Sequence, residues 1–125
     1  MAEVGQSTPP RGKALVVDDD VQVASTVAEL LRREGIDAQP LVPSRSLGQA
    51  ILDANPQVLV LDLSLGQNDA VNVLSELARR HFTGAVALLS GHPAATVSRV
   101  HEIGIGKGLA MLPPLYKPVE REALR

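Results

Sequence analysis

Three consecutive carboxylates, Asp18, Asp19 and Asp20, close the apolar run ALVV at residues 14–17. A fourth acid, Asp62, stands at the end of VLVL (58–61). Ser90 ends AVALL (85–89), and Lys117 follows LPPLY. Like charges 4 Å apart repel by about 4 kcal/mol at an effective dielectric near 20. Acids crowded at the end of a buried strand therefore serve a ligand rather than stability. Oxygen-only donors suit a hard divalent cation, Mg²⁺ or Mn²⁺, which relieves that repulsion. A carboxylate beside such a cation can accept a phosphoryl group. The cation and the Lys117 ammonium would balance charge on the transferring oxygens, and the Ser90 hydroxyl could donate to the acquired phosphate.

These groups meet only if the intervening chain folds them to one place. The runs at 14–17, 58–61 and 85–89 are continuously apolar, as strands buried on both faces of a parallel sheet read. The segments at 36–42 and 109–112 are weaker. Pro40 lies in the first, and Pro113 and Pro114 end the second, so both read as edge strands. Amphipathic helices alternate with them. Val23, Val27, Leu30 and Leu31 line the first, which Gly35 stops. Leu47, Ala50, Ile51 and Ala54 line the second, with Ser44 as its N-cap and Pro56 beyond its end. Val73, Leu74 and Leu77 line the third, opened by Asn68 or Asp69. Val97, Val100 and Ile103 line the fourth, with Pro93 near its start. A fifth would begin at Pro118 and is cut short at Arg125.

The pattern is (βα)5, a doubly wound α/β three-layer sandwich with a parallel five-stranded sheet. Proline-bearing second and fifth strands at the edges give the flavodoxin-like order 2-1-3-4-5. Ligands of such sheets sit beyond the carboxyl ends of the central strands, where the named groups fall. The GIGKG stretch (104–108) follows a helix and lacks the spacing of a phosphate loop, so it reads as a mobile loop. Asp20 reads as the N-cap of the first helix rather than a ligand.

The 125 residues suit one domain. Residues 1–12 read as a flexible leader and 13–125 as the domain. Cysteine is absent, which excludes disulfides and thiolate metal sites. The net charge of −2 argues against a nucleic-acid grip by this segment. No apolar run reaches the roughly 18 residues of a membrane span. The leader has no signal-peptide core, and a cytoplasmic location is expected.

The motifs VVDDD, the lone Asp62 after VLVL, LLSG and LYKP stand in the order and near the spacing of response-regulator receiver domains of two-component signalling. The chain resembles that family from residue 13 to 125. The resemblance implies that Asp62 is the phosphoacceptor. Asp19, Asp62 and the Ser64 carbonyl would hold Mg²⁺, with Asp18 supporting the site from behind. Ser90 would be the switch hydroxyl and Lys117 the phosphate-sensing lysine. It also implies a histidine kinase or phosphotransfer protein as donor, a C-terminal output domain or partner protein, and room for a homodimer. Receivers of this kind commonly hold the bond after the lysine cis, so a cis Lys117–Pro118 bond is expected. The domain itself would be regulatory rather than an enzyme. Gly66 and Ala70 depart from the proline and glycine usual after the acceptor, and Pro114 stands where a switching aromatic is usual. The LPPLYKP ending resembles receivers that precede EAL-type cyclic-di-GMP phosphodiesterase domains.

Two other readings compete. In a haloacid-dehalogenase-type phosphatase, Asp18 and Asp20 would form the Asp-x-Asp pair, and the acids required beyond Lys117 would have to be Glu120 and Glu122. In a receiver-like interaction module, switching would have been lost. Phosphotransfer from acetyl phosphate, with and without Mg²⁺, separates all three.

Overall fold

The computed structural model describes residues 13–43, 46–65, 68–91, 93–117 and 119. The leader, Ser44, Gly66, the Lys117–Pro118 bond, Glu120, Glu122 and the expected fifth helix lie outside the described residues. Strands β1 (Lys13–Val17), β2 (Asp37–Leu41), β3 (Val58–Asp62) and β6 (Ala85–Ser90) are parallel neighbours in the order β2-β1-β3-β6. Two short strands, β7 (Ala110–Met111) and β8 (Leu115–Tyr116), share the far edge of β6. The expected strand order 2-1-3-4-5 is therefore present, with its fifth position divided in two. Pro40 sits in edge strand β2, where its missing N–H breaks no central ladder.

Side chains alternate between two cores, as the period of a strand requires. Leu15, Val17, Leu59, Leu61, Val86 and Leu88 face α2 (Leu47–Ala54), α3 (Ala70–Arg79) and α4 (Ala94–Gly106). Ala14, Val16, Val60, Ala87 and Leu89 face α1 (Val21–Arg33). The central strands are thus covered on both sides, which explains their unbroken apolar runs. Truncating one fully buried leucine, such as Leu59 or Leu61, would cost about 2–5 kcal/mol.

The helices start and stop for local reasons. Asp20 caps α1, its Oδ1 accepting from the amides of Gln22 at 3.0 Å and Val23 at 3.3 Å. At the other end Gly35 takes φ +89°, and the amides of Gly35 and Ile36 donate back to Arg32 and Leu31. That is a Schellman closure, which glycine makes without a Cβ clash. On α1 the buried positions are Ala24, Val27, Ala28 and Leu31, whereas Val23 and Leu30 are half-buried. The short alanines let the helix lie close to the sheet.

Three expectations change. GIGKG is not a separate loop: Gly104, Ile105 and Gly106 form the last turn of α4. The amides of Gly108 and Leu109 donate to Ile105 and Gly104, another Schellman closure with Gly108 at φ +87°. Gly104 is buried against Met111, so the glycine serves close helix–strand packing. Second, Asn68 and Asp69 do not simply open α3. They form strand β5, antiparallel to β4 (Ser64–Leu65), in a small hairpin directly after Asp62. Third, the last strand does not run through 109–112. It breaks after Met111 and pairs again at Leu115, on the far side of the prolines.

Candidate functional site

Register brings the acids together. Val17 and Leu61 form the last pair between β1 and β3, and Asp18 and Asp62 are the next residues along each chain segment. Both aspartates are fully buried, as is Ser90, and these are the only buried polar or charged side chains among the described residues. Asp19, just above them, is exposed. Carboxylate oxygens of Asp18, Asp19 and Asp62 all lie within 4.8 Å of one another.

Lys117 reaches this cluster from the end of β8. Its backbone amide donates to the Ser90 carbonyl at 2.9 Å, which ties the lysine to the end of β6. Its Nζ lies 3.1 Å from Asp18 Oδ2 and 3.3 Å from Asp62 Oδ1. The expected pairing with Asp62 is present, and an ion pair to Asp18 that sequence reasoning did not foresee accompanies it. Asp18 is held from its other oxygen as well, Oδ1 accepting from the Asp20 amide at 2.9 Å. Asp20 thus serves twice: its side chain caps α1 and its amide fixes Asp18.

The site carries more negative charge than its protein partners neutralise. Burial pushes the Asp62 carboxyl up from 3.8 to about 6, and the neighbouring Asp18 pushes the same way. The Ser64 backbone amide and the Lys117 ammonium pull it down without prevailing. For Lys117, burial lowers the pKa, but hydrogen bonding and charge from Asp18 and Asp62 outweigh it and hold the ammonium above its ordinary range. Asp62 Oδ2 is buried and accepts no hydrogen bond among the described residues. Asp18 Oδ2 is buried as well, and its partner is the Lys117 ammonium.

An orphaned buried carboxylate oxygen beside two more acids is a donor set suited to a hard cation. The residues present therefore fit a divalent ion. Ser64 is the first residue of β4, two positions past Asp62. Ser90 lies at the end of β6, next to β3, whose Asp62 pairs with Leu89. Asp18, Asp19, Asp62 and Lys117 thus meet at one edge of the sheet, with Ser90 at the adjoining strand end.

The response regulator receiver domain profile matches residues 14–125. Among curated proteins, the transcriptional regulatory protein CpxR of Klebsiella pneumoniae is 32% identical over 76 residues, spanning 61% of this chain and 32% of its own. The regulatory protein VirG of Agrobacterium fabrum is 24% identical over 106 residues, 82% of this chain and 42% of its own. The chain thus spans less than half the length of these relatives. Among solved structures, NtrX from Brucella abortus superposes with a TM-score of 0.73 at 27% identity, covering 90% of this chain and 25% of that one. The signal receiver domain of a putative Luxo repressor protein from Vibrio parahaemolyticus shares the fold, with a TM-score of 0.75 at 24% identity over 91% of this chain and 84% of its own.

Proposed function

Because the chain belongs to the response regulator receiver domain family, we propose that its regulatory chemistry is acceptance of a phosphoryl group on Asp62, with Asp19, Asp62 and the Ser64 carbonyl holding Mg²⁺. The observation that carries this reading is the buried Asp62 carboxylate. One of its oxygens faces the Lys117 ammonium at 3.3 Å, and the other has no hydrogen-bond partner among the described residues. A free, oriented carboxylate oxygen is what a nucleophile requires.

In the transfer, an Asp62 oxygen forms a bond to phosphorus. The bond from phosphorus to the donor's leaving group breaks, and the leaving group keeps the electron pair. For a phosphohistidine donor, that group is a ring nitrogen of a histidine kinase or phosphotransfer protein. The divalent ion would supply electrostatic stabilisation of the phosphoryl oxygens. Lys117 supplies a second positive charge and is held in place by Asp18, which makes Asp18 a positioning residue. The Ser90 hydroxyl, at the adjoining strand end, would then hydrogen-bond the acquired phosphate. With a pKa of about 6, Asp62 is mostly ionised at neutral pH, and cation binding favours that form further.

The state so produced is read by another surface or by a C-terminal output domain. The LPPLYKP ending supports an output of the EAL type, which the full-length gene would test. Family membership disfavours the phosphatase reading. Intact-mass measurement after incubation with acetyl phosphate tests the proposal. One phosphoryl group is expected on the wild type with Mg²⁺ and none with EDTA or in Asp62→Ala. Equal labelling of Asp62→Ala would overturn it.

A further inference from the structure

At the edge of β6 the last strand is divided in two. Met111 pairs with Val86, and Leu115 pairs with Leu89. Between these pairs β6 contributes Ala87 and Leu88, while the facing segment contributes Leu112, Pro113 and Pro114. One extra residue is therefore inserted into a parallel ladder, which makes a bulge. The Leu112 amide donates to Val86 at 2.7 Å, and the Lys117 amide donates to Ser90 at 2.9 Å. Pro113 and Pro114, between those two bonds, have no N–H to give. The strand is sewn to β6 above and below a stretch that cannot be sewn.

The lower piece is tied to the chemistry and the upper piece is not. Tyr116 lies in register with Ser90, and Lys117 reaches both Asp18 and Asp62. β7 instead packs beneath α4, with Met111 against Gly104. Tyr116 is 44% exposed, so its ring reports to solvent and to any surface that reads it. Pro114 has no aromatic ring to rotate and carry a signal up the strand.

We propose that Leu115–Lys117 moves as a unit hinged at the Pro113–Pro114 bulge, displacing Tyr116 when Asp62 gains a phosphoryl group, while β7 stays in place. This rests on the phosphoacceptor reading above. Phosphorylation adds charge and oxygens at Asp62, which redraws the positions that Lys117 and Ser90 favour. Because both connect to β8 through backbone or side chain, β8 must follow them. The bulge keeps that motion from being resisted by, or passed into, the ladder under α4.

Residue-resolved amide hydrogen exchange on the wild-type chain, with Mg²⁺ and with or without acetyl phosphate, tests the hinge. Intact mass is read on the same samples. Exchange is expected to change at Leu115, Tyr116 and Lys117 and to stay the same at Ala110, Met111 and Leu112. Tyr116 is the only tyrosine and there is no tryptophan, so acrylamide quenching of intrinsic fluorescence gives a second readout and should change in parallel. In Pro113→Val/Pro114→Val, which restores two amide donors, the exchange change should spread into Ala110–Leu112, with Asp62 labelled as before. Labelling with equal changes on both sides of the prolines in the wild type, or with no change at Leu115–Lys117, overturns the hinge and leaves the acceptor reading standing. Absence of any label at Asp62 overturns both.

Discussion

Replacing Asp62 with asparagine should stabilise the metal-free protein at neutral pH, although it removes an ion-pair partner of Lys117. The structure sets the sign. A carboxyl whose pKa is 3.8 when unfolded and about 6 when folded binds its proton more tightly in the folded state. Its contribution to stability is fully present below pH 3.8 and is lost as pH rises through about 6. At pH 7.5 the shift corresponds to about 3 kcal/mol of lost stability, at about 1.4 kcal/mol per pH unit. Screening at the site's open mouth, and the lost attraction to Lys117, reduce the expected gain in Asp62→Asn to about 1–2 kcal/mol. At pH 4.5 the folded carboxyl is already protonated, and the same linkage leaves about a third of that gain. For a chain of this size, the neutral-pH difference is a rise in Tm of about 3–8 °C. Urea and thermal unfolding in EDTA at the two pH values measure it. A variant no more stable than the wild type at pH 7.5, or one with an undiminished gain at pH 4.5, would refute the claim that Asp62 is held in an electrostatically unfavourable, ligand-ready state.

Millimolar Mg²⁺ should raise the wild-type Tm, with about 1.4 kcal/mol expected at a concentration ten times the dissociation constant. Asp19→Asn and Asp62→Asn should each reduce that rise, and unchanged shifts in both would move the ion elsewhere. Mg²⁺ affinity, followed by calorimetry, should fall as pH drops below about 6, because a proton competes for the Asp62 carboxylate. Asp20→Ala should cost about 1 kcal/mol in urea unfolding through loss of the α1 cap while leaving the Mg²⁺ shift intact, which separates capping from ligation. His81 holds φ 59° where α3 closes on Leu77 and Ala78, so His81→Gly should stabilise the fold by about 0.5–1 kcal/mol in the same assay.

Most of the site was legible because three of its groups end strands with a strong signal. ALVV, VLVL and AVALL are buried on both faces, and a polar residue that closes such a run has to lie at the sheet's edge. Asp18, Asp62 and Ser90 were placed by that reasoning alone. What escaped it depends on backbone detail. The Asp18–Lys117 contact lies beyond the bulge at Pro113–Pro114, and prolines that reasonably end a strand gave no sign that pairing resumes at Leu115. The β4–β5 hairpin is four paired residues long, too short for a period to register. GIGKG reads as a loop because it follows a helix and lacks the spacing of a phosphate loop, and its glycines lower helix propensity. Tertiary packing of Gly104 on Met111 overrides that preference, and Gly108 stops the helix one turn later than expected.

The central claim is that the buried carboxylate of Asp62 is where a phosphoryl group lands. The most direct measurement treats the wild-type chain with acetyl phosphate and Mg²⁺, reduces the acyl phosphate with borohydride, and locates the modified residue by peptide fragmentation. An aspartate converted to homoserine is expected at Asp62 alone, with Asp18, Asp19 and Asp20 intact and no conversion when Mg²⁺ is withheld. Conversion at one of those three acids, or an unmodified Asp62 in a chain that has gained a phosphoryl group, would contradict it.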